Sequence, residues 1–198
     1  MSARQASGRS STFGPSALAT PANALTLVRL LATPVLVALI VVTGPATWLV
    51  ASLWLGVALT DGLDGFLARR QGATTSGAFL DPLADKILVL GVLAALASTG
   101  EVGWLPVALI AVREITMSGF RVVAGRRGVS VPARPTAKLK TLLQDVTVGM
   151  AVLPPVGLHQ VGVVRDLLWA AVVLTVYTGL EYALDARRLF TPAGSASA

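Results

Sequence analysis

Residues 47–99 read TWLVASLWLGVALTDGLDGFLARRQGATTSGAFLDPLADKILVLGVLAALAST. Two long apolar runs, 47–69 and 79–99, flank a short stretch of small and polar residues. Each run is close to the ~20 residues that an α-helix needs to cross a bilayer. This stretch therefore predicts two neighbouring membrane-spanning helices joined by a short loop.

The rest of the chain repeats the pattern of apolar runs separated by turn residues. The predicted spans are residues 23–43, 47–69, 79–99, 103–124, 137–156 and 163–188. We expect one all-α membrane domain over residues 21–190, with flexible tails at 1–20 and 191–198. Charged residues make up 13% of the chain, about half the fraction in a typical soluble domain. Cysteine is absent, which excludes disulfides and thiolate chemistry.

Most basic residues lie before the first span, at the end of the last span, or in every second connection between spans. They are Arg4, Arg9, Arg69, Arg70, Arg126, Arg127, Arg134, Lys138, Lys140, Arg187 and Arg188. The other connections hold only Arg165 among basic residues that carry a full charge. Because cytoplasmic loops are enriched in Lys and Arg, this distribution predicts six spans with both termini in the cytoplasm. It also accounts for the net charge of +6 without a nucleic-acid partner.

Four aspartates lie inside or at the ends of these apolar runs: Asp61, Asp64, Asp81 and Asp85. An aspartate at the centre of a membrane helix costs about 2.5–3.5 kcal/mol on insertion scales, which makes it a candidate functional residue. Asp61 and Asp64 are three residues apart and Asp81 and Asp85 four apart, so each pair shares one helix face. An antiparallel pairing of the two helices predicts that all four carboxylates meet near the cytoplasmic side.

Four carboxylates in one pocket repel each other unless a cation neutralises them. Ligands that are all oxygen suit Mg²⁺ or Mn²⁺, and two such ions are the usual arrangement for phosphoryl displacement. Two structural alternatives remain. Asp81, which precedes a proline, is suited to capping a helix, and Asp61 and Asp64 are candidates for structural ion pairs with Arg69 and Lys86.

The segment DGLDGFLAR at 61–69, followed by Gly77 and DPLAD at 81–85, resembles the signature of the CDP-alcohol phosphotransferase family. That signature is DxxDGxxAR, a short spacer, and GxxxDxxxD. Seven residues separate Arg69 from Gly77, where eight are expected. Whether Thr74, Thr75 or Ser76 faces the nucleotide therefore stays open, and Thr75 is the predicted contact.

Other segments are similar to the phosphatidylglycerophosphate synthase branch of that family. They are NALTLVR at 23–29, VREI at 112–115, KLKT at 138–141 with Gln144, and TGLEY at 178–182. Ala137 departs from the branch, which usually has glycine before the lysine. The resemblance implies a homodimeric enzyme of the bacterial cell membrane, with its active site facing the cytoplasm. It implies transfer of a phosphatidyl group from CDP-diacylglycerol to sn-glycerol 3-phosphate.

The same resemblance implies roles for individual residues. Asp61, Asp64, Asp81 and Asp85 would hold two Mg²⁺ or Mn²⁺ ions, and Asp85 would also be the general base. The predicted contacts to CDP-diacylglycerol are Asn23, Thr26, Asp61, Gly65, Ala68, Arg69 and Thr75. Small residues such as Gly65 and Ala68 also serve close helix packing, and the two roles are compatible.

The acceptor, a dianion, needs cationic donors near the cytoplasmic end of the bundle. The candidates are Arg113, Arg121, Lys138 and Lys140, at the ends of spans four and five. For Arg121 and Lys140 the alternative is anchoring at the anionic surface of the inner leaflet.

Three other functions are weighed against this one. The first is the same chemistry with a different acceptor, namely inositol phosphate, phosphatidylglycerol for cardiolipin, or serine. The second is a cation transporter, which would need polar residues leading to both faces, whereas the charges here crowd the cytoplasmic half. The third, a non-catalytic membrane scaffold, leaves the aspartates unexplained.

Overall fold

The computed structural model describes residues 21–71, 77–126, 135–157, 159 and 161–190, and all the regular structure in these ranges is helical. The helices are α1 (Pro21–Thr43), α2 (Trp48–Gln71), α3 (Gly77–Ser98), α4 (Trp104–Arg126), α5 (Pro135–Val152), α6 (Pro154–Gly157) and α7 (Val161–Phe190). The six long helices coincide with the six apolar runs of the sequence. The all-helical prediction is confirmed for this part of the chain.

Local sequence sets several helix ends. Gly44 and Gly100 follow α1 and α3 with φ values of 86° and 85°, in the left-handed region that ends helices and that glycine adopts without strain. Thr47 caps α2, because its hydroxyl accepts a hydrogen bond from the Val50 amide at 3.2 Å. The run predicted to span 137–156 is interrupted after Val152, because Pro154 has no amide to continue the helical bonding.

Within the part of the chain that the structure describes, two helices are long and apolar enough to cross a membrane on length and composition, over Ala24–Thr43 and Val161–Tyr182. Trp48–Thr60 of α2 forms a shorter apolar segment. The number of membrane crossings and the side on which the termini lie stay predictions.

Side-chain contacts define the register between helices. Arg29 meets Asp85, and Thr33 lies against Gly91, so α1 and α3 run parallel. Arg113 meets Thr178 and Arg121 meets Tyr182, so α4 and α7 are also parallel. Helix α5 runs antiparallel to α7, since Thr136 contacts Glu181 and Gln144 contacts Thr175.

The interior is divided along the helix axes. One half holds the apolar core, which includes Leu36, Ile40, Val92, Leu93, Leu96, Ile110, Val148, Val152 and Leu168. The other half buries polar and charged side chains, among them Thr26, Arg29, Glu114, Lys140, Gln144 and Thr178. This polar half contains the C-terminal part of α4 and the N-terminal parts of α3 and α5, and it positions the site described next.

Candidate active site

A cavity of about 430 Å³ opens between α3, α4 and α5 in the polar half of the bundle. Its lining includes Asp85, Lys86, Val89, Leu90, Arg113, Glu114, Met117, Arg121, Lys138, Lys140, Thr141, Leu142, Gln144 and Asp145. All four residues that the sequence nominates for acceptor phosphate are in this set, together with the proposed base Asp85. The structure thus brings residues from three separate helices to one cavity.

Glu114 lies at the centre of the cationic side chains. Its Oε1 accepts hydrogen bonds from Lys140 Nζ and, at 3.0 Å, from Arg113 Nη1. Its Oε2 lies 3.8 Å from Lys86 Nζ. The side chains of Glu114 and Lys140 are only 8% and 3% exposed, so this is a buried ion cluster. Lys140 therefore does not lie on the surface, as anchoring at lipid headgroups would require.

Two of these cations have a second anchor. Arg113 Nη2 donates to Thr178 Oγ1 of α7 at 3.0 Å, and Lys86 Nζ donates to Ser118 Oγ on α4. Ser118 in turn donates to the carbonyl of Glu114 at 2.7 Å. The cluster therefore ties α3, α4, α5 and α7 together around the cavity.

The remaining acceptor candidates lie nearer the surface. Arg121 Nη2 is 3.4 Å from the Tyr182 hydroxyl, and its guanidinium lies over the Tyr182 ring at 5.8 Å from the centroid. Such a cation–π contact fixes the arginine while leaving its other donors available. Lys138 is exposed on the first turn of α5, at the edge of the cavity.

Asp85 has a different environment from Glu114. Arg29 Nη1, on α1, donates to Asp85 Oδ1 at 2.5 Å. The Arg29 side chain is fully buried, whereas that of Asp85 is 38% exposed and faces the cavity. A buried guanidinium therefore holds one oxygen of the carboxylate while the residue remains accessible to a ligand.

The other three aspartates are placed by the backbone alone. Asp61 and Asp64 belong to the C-terminal part of α2 and Asp81 to the first turns of α3, and their side chains lie outside those described. Helical backbone at these positions keeps the i, i+3 and i, i+4 spacing on which the metal prediction depends. The described side chains include no group of three or more acidic or histidine residues that could hold a metal ion.

Most residues predicted to contact CDP-diacylglycerol also fall beyond the described side chains. Gly65, Ala68 and Arg69 lie on α2, Asn23 lies in the first turn of α1, and Thr75 is outside the described residues. Thr26 is the exception. It is buried on α1, three residues before Arg29 and on the same helix face. Its proposed contact with the nucleotide stays a prediction.

Sequence reasoning gave Glu114 no role, left the role of Asp145 undecided, and named Lys86 only as an alternative partner of Asp61 and Asp64, whereas the structure places Lys86 against Glu114 and Ser118. The available signal was the insertion cost of charge inside an apolar run, which applies to Lys86, Glu114 and Asp145 alike. That signal does not say which charges meet, because Lys86, Glu114 and Lys140 are far apart in sequence. Their meeting depends on the packing of α3, α4 and α5.

Comparison with known proteins agrees with the motifs. The sequence model described as CDP-alcohol phosphatidyltransferase matches residues 19–177. A Mycobacterium tuberculosis protein named "Probable phosphatidylglycerophosphate synthase" is 41% identical over 181 residues, covering 88% of this chain and 85% of the relative.

Two further relatives are named CDP-diacylglycerol–glycerol-3-phosphate 3-phosphatidyltransferase. The Rickettsia bellii protein is 37% identical over 175 residues, covering 85% of this chain and 96% of its own length. The Shigella flexneri protein is 36% identical over 173 residues, with 82% and 92% covered.

Proposed function

The chain belongs to the CDP-alcohol phosphatidyltransferase family, and on that premise we propose that it acts on CDP-diacylglycerol and sn-glycerol 3-phosphate. The products are phosphatidylglycerophosphate and CMP, which places the enzyme in phospholipid biosynthesis. The observation that carries this proposal is the cavity in which Asp85 and the cationic side chains of α4 and α5 meet. The names of the relatives support the same acceptor.

The charge of the cavity suits a phosphate monoester. Among the described residues that line it, five are cationic and three are acidic, an excess of two positive charges. Glycerol 3-phosphate carries close to two negative charges at neutral pH. Arg113 offers a planar fork for two phosphate oxygens, and Lys140 offers a compact charge. Serine, a zwitterion without net charge, would neutralise none of this excess.

In the proposed reaction the acceptor hydroxyl attacks the phosphorus that carries the diacylglycerol. A new phosphorus–oxygen bond forms while the bond to CMP breaks, and CMP leaves with that electron pair. Asp85 takes the hydroxyl proton. Since an unperturbed aspartate has a pKa of about 3.9, it is a weak base for an alcohol. Its placement, held by Arg29 at the cavity wall, must contribute much of the effect.

The donor set fits a divalent metal ion. Asp61, Asp64, Asp81 and Asp85 are all carboxylates, on the helical backbone at the end of α2 and the start of α3. Oxygen ligands of this kind suit Mg²⁺ or Mn²⁺, and we propose that the four residues hold two ions. When bound, such ions supply charge neutralisation for the pyrophosphate and for departing CMP.

The donor nucleotide is proposed to bind at the α1–α2 side of Asp85. Arg69 contacts its phosphate, and Gly65 and Ala68 leave room for the cytidine. The support is the position of these residues about one to two turns beyond Asp61 on α2. Asn23, Thr26 and Thr75 complete the proposed contacts.

We place the enzyme in the bacterial cell membrane with six crossings, both termini and the active site on the cytoplasmic side. The support is an inverted distribution of polarity, in which Arg29, Glu114 and Lys140 are buried. Large apolar side chains point outwards instead, such as Val42 at 81% and Val173 at 67% exposure. Surfaces of this kind are adapted to lipid rather than to water. A homodimer, with lipid around it, is the proposed state.

The deciding experiment measures CMP release by the purified chain with CDP-diacylglycerol and one acceptor at a time. sn-Glycerol 3-phosphate is expected to support release. Inositol phosphate, phosphatidylglycerol and serine are expected to leave release at the background of the acceptor-free reaction. Release that depends on one of those three, and not on glycerol 3-phosphate, would refute the proposed acceptor.

A further inference from the structure

The strongest feature without a role in the reaction is Glu114. It is a buried carboxylate in a cavity proposed to receive an anion, where a negative charge on its own should weaken binding. A cavity meant only to attract phosphate would be better without it. The reason for its presence must therefore lie in what it does to the cations around it.

The surrounding charges do not form a balanced structural pair. Three cationic groups, from Lys86, Arg113 and Lys140, lie within 4 Å of the single carboxylate. Three cations thus face one carboxylate, and among the described residues that line the whole cavity the cations outnumber the acidic residues by two. The excess points towards a second anion in the cavity that these side chains line.

The three cations differ in how far they depend on Glu114. Arg113 is also held by Thr178, and Lys86 is also held by Ser118. Among the described residues, Glu114 is the single hydrogen-bond and ion-pair partner of Lys140. The Lys140 side chain has many rotamers, and a buried ammonium group needs a partner to stay charged in place.

We propose that Glu114 is a positioning residue that holds the Lys140 ammonium group at the cavity wall, where it receives the phosphate of the acceptor. This inference rests on the proposed function, because it takes the anion to be a phosphate monoester. Glu114 acts through Lys140 and does not itself contact the substrate. A preset ammonium group spares the acceptor the entropy of ordering it, so the effect appears in acceptor binding.

The test is the Michaelis constant of each substrate in Glu114→Gln. Loss of a hydrogen bond to a charged group weakens binding by about 10- to 100-fold, which is the expected rise in the KM of glycerol 3-phosphate. The KM of CDP-diacylglycerol is expected to stay within about threefold. The control Glu101→Gln makes the same chemical change in the turn between α3 and α4. It is expected to alter neither constant.

A second variant keeps the test decisive if Glu114→Gln folds poorly with its lysine unpaired. The double variant Glu114→Gln/Lys140→Met removes both charges. Removing both charges of a buried pair destabilises a protein less than removing one, because no unpaired buried charge is left. Because Glu114 acts through Lys140, the acceptor KM of the double variant is expected within about threefold of that of Lys140→Met. A further rise of tenfold or more would show that Glu114 acts independently of Lys140 and overturn the inference.

A purely structural role has a distinct outcome. The yield of folded Glu114→Gln would fall while both Michaelis constants stayed unchanged, and the inference would be wrong. Failure of the proposed function looks different, since the unmodified chain would release no CMP with glycerol 3-phosphate. The same Glu114 variants are then measured with whichever acceptor supports release.

Discussion

Two carboxylates at the cavity, Asp85 and Glu114, have opposite surroundings. Asp85 is paired with the buried Arg29 of α1, and its side chain is 38% exposed. Glu114 is surrounded by three cationic groups and is 8% exposed. The first is held but accessible, as a group that must exchange a proton with a substrate should be. The second is enclosed, as a group that organises its neighbours should be.

The contrast separates chemistry from recognition. The C-terminal part of α2 and the N-terminal part of α3 carry the four aspartates that we assign to metal and base. Helices α4 and α5 carry the cations that we assign to the acceptor. Substitutions in the first set should lower kcat, and substitutions in the second should raise the KM of the acceptor. Four predictions follow from this division, and they are given in order of decreasing expected effect on activity.

Removal of divalent metal is expected to have the largest effect. With EDTA present, CMP release should fall to background, and addition of Mg²⁺ or Mn²⁺ should restore it, because the proposed ions would neutralise the pyrophosphate and the departing CMP. Arg113 and Lys140 are held by Glu114 and Thr178 rather than by the proposed metal ligands, so glycerol 3-phosphate should still raise the thermal stability of the metal-free protein. Turnover that persists in EDTA would refute the metal assignment.

Asp85→Asn is expected to lower kcat by about 10²–10⁴-fold, the usual contribution of a general base. The asparagine oxygen can still accept from Arg29, so the protein should insert and fold as before. The matched control is Asp166→Asn, at an exposed ion pair with Arg165. Near-normal kcat in Asp85→Asn, measured on protein of verified fold, would remove Asp85 from the base role.

Arg29→Met is expected to lower kcat by about 10- to 100-fold, because misplacement of a catalytic group by ~1 Å has effects of this order. The acceptor KM should change by less than about threefold, since the described side-chain contact of Arg29 is with Asp85, on the opposite side of the proposed division from the cations of α4 and α5. Arg29→Lys, which keeps the positive charge, should lower kcat by less than Arg29→Met. An acceptor KM that rises as much as kcat falls would contradict the division between the two regions.

Gly179→Ala is expected to have the smallest effect. A Cβ there would lie 3.5 Å from Arg113 Cγ, an ordinary van der Waals contact, so the acceptor KM should change by about threefold at most. Gly162→Ala, on the same helix with no atom within 4 Å of its Cβ, is the control. Both changes should stabilise α7 by up to ~1 kcal/mol in thermal unfolding. A tenfold change in KM would show that Arg113 tolerates almost no displacement.

The helices themselves were predictable because their signals are local. An apolar run ended by Gly44 or Gly100 indicates where a helix stops, whatever it packs against. The end of α5 was predicted less well, since the run continues through Pro154 in hydropathy but not in backbone hydrogen bonding. The candidate acceptor residues could be nominated from their charge and position alone. Their convergence on one cavity could not.

Local spacing along the chain was enough to predict the helices. It also predicted that Asp61 shares a helix face with Asp64, and Asp81 with Asp85, because a helix face repeats every three to four residues. The partners of Asp85 and Glu114 depended on tertiary structure. Arg29 lies 56 residues from Asp85 and Lys140 lies 26 from Glu114. No periodicity links such distant positions, and helix packing alone decides which buried charges meet.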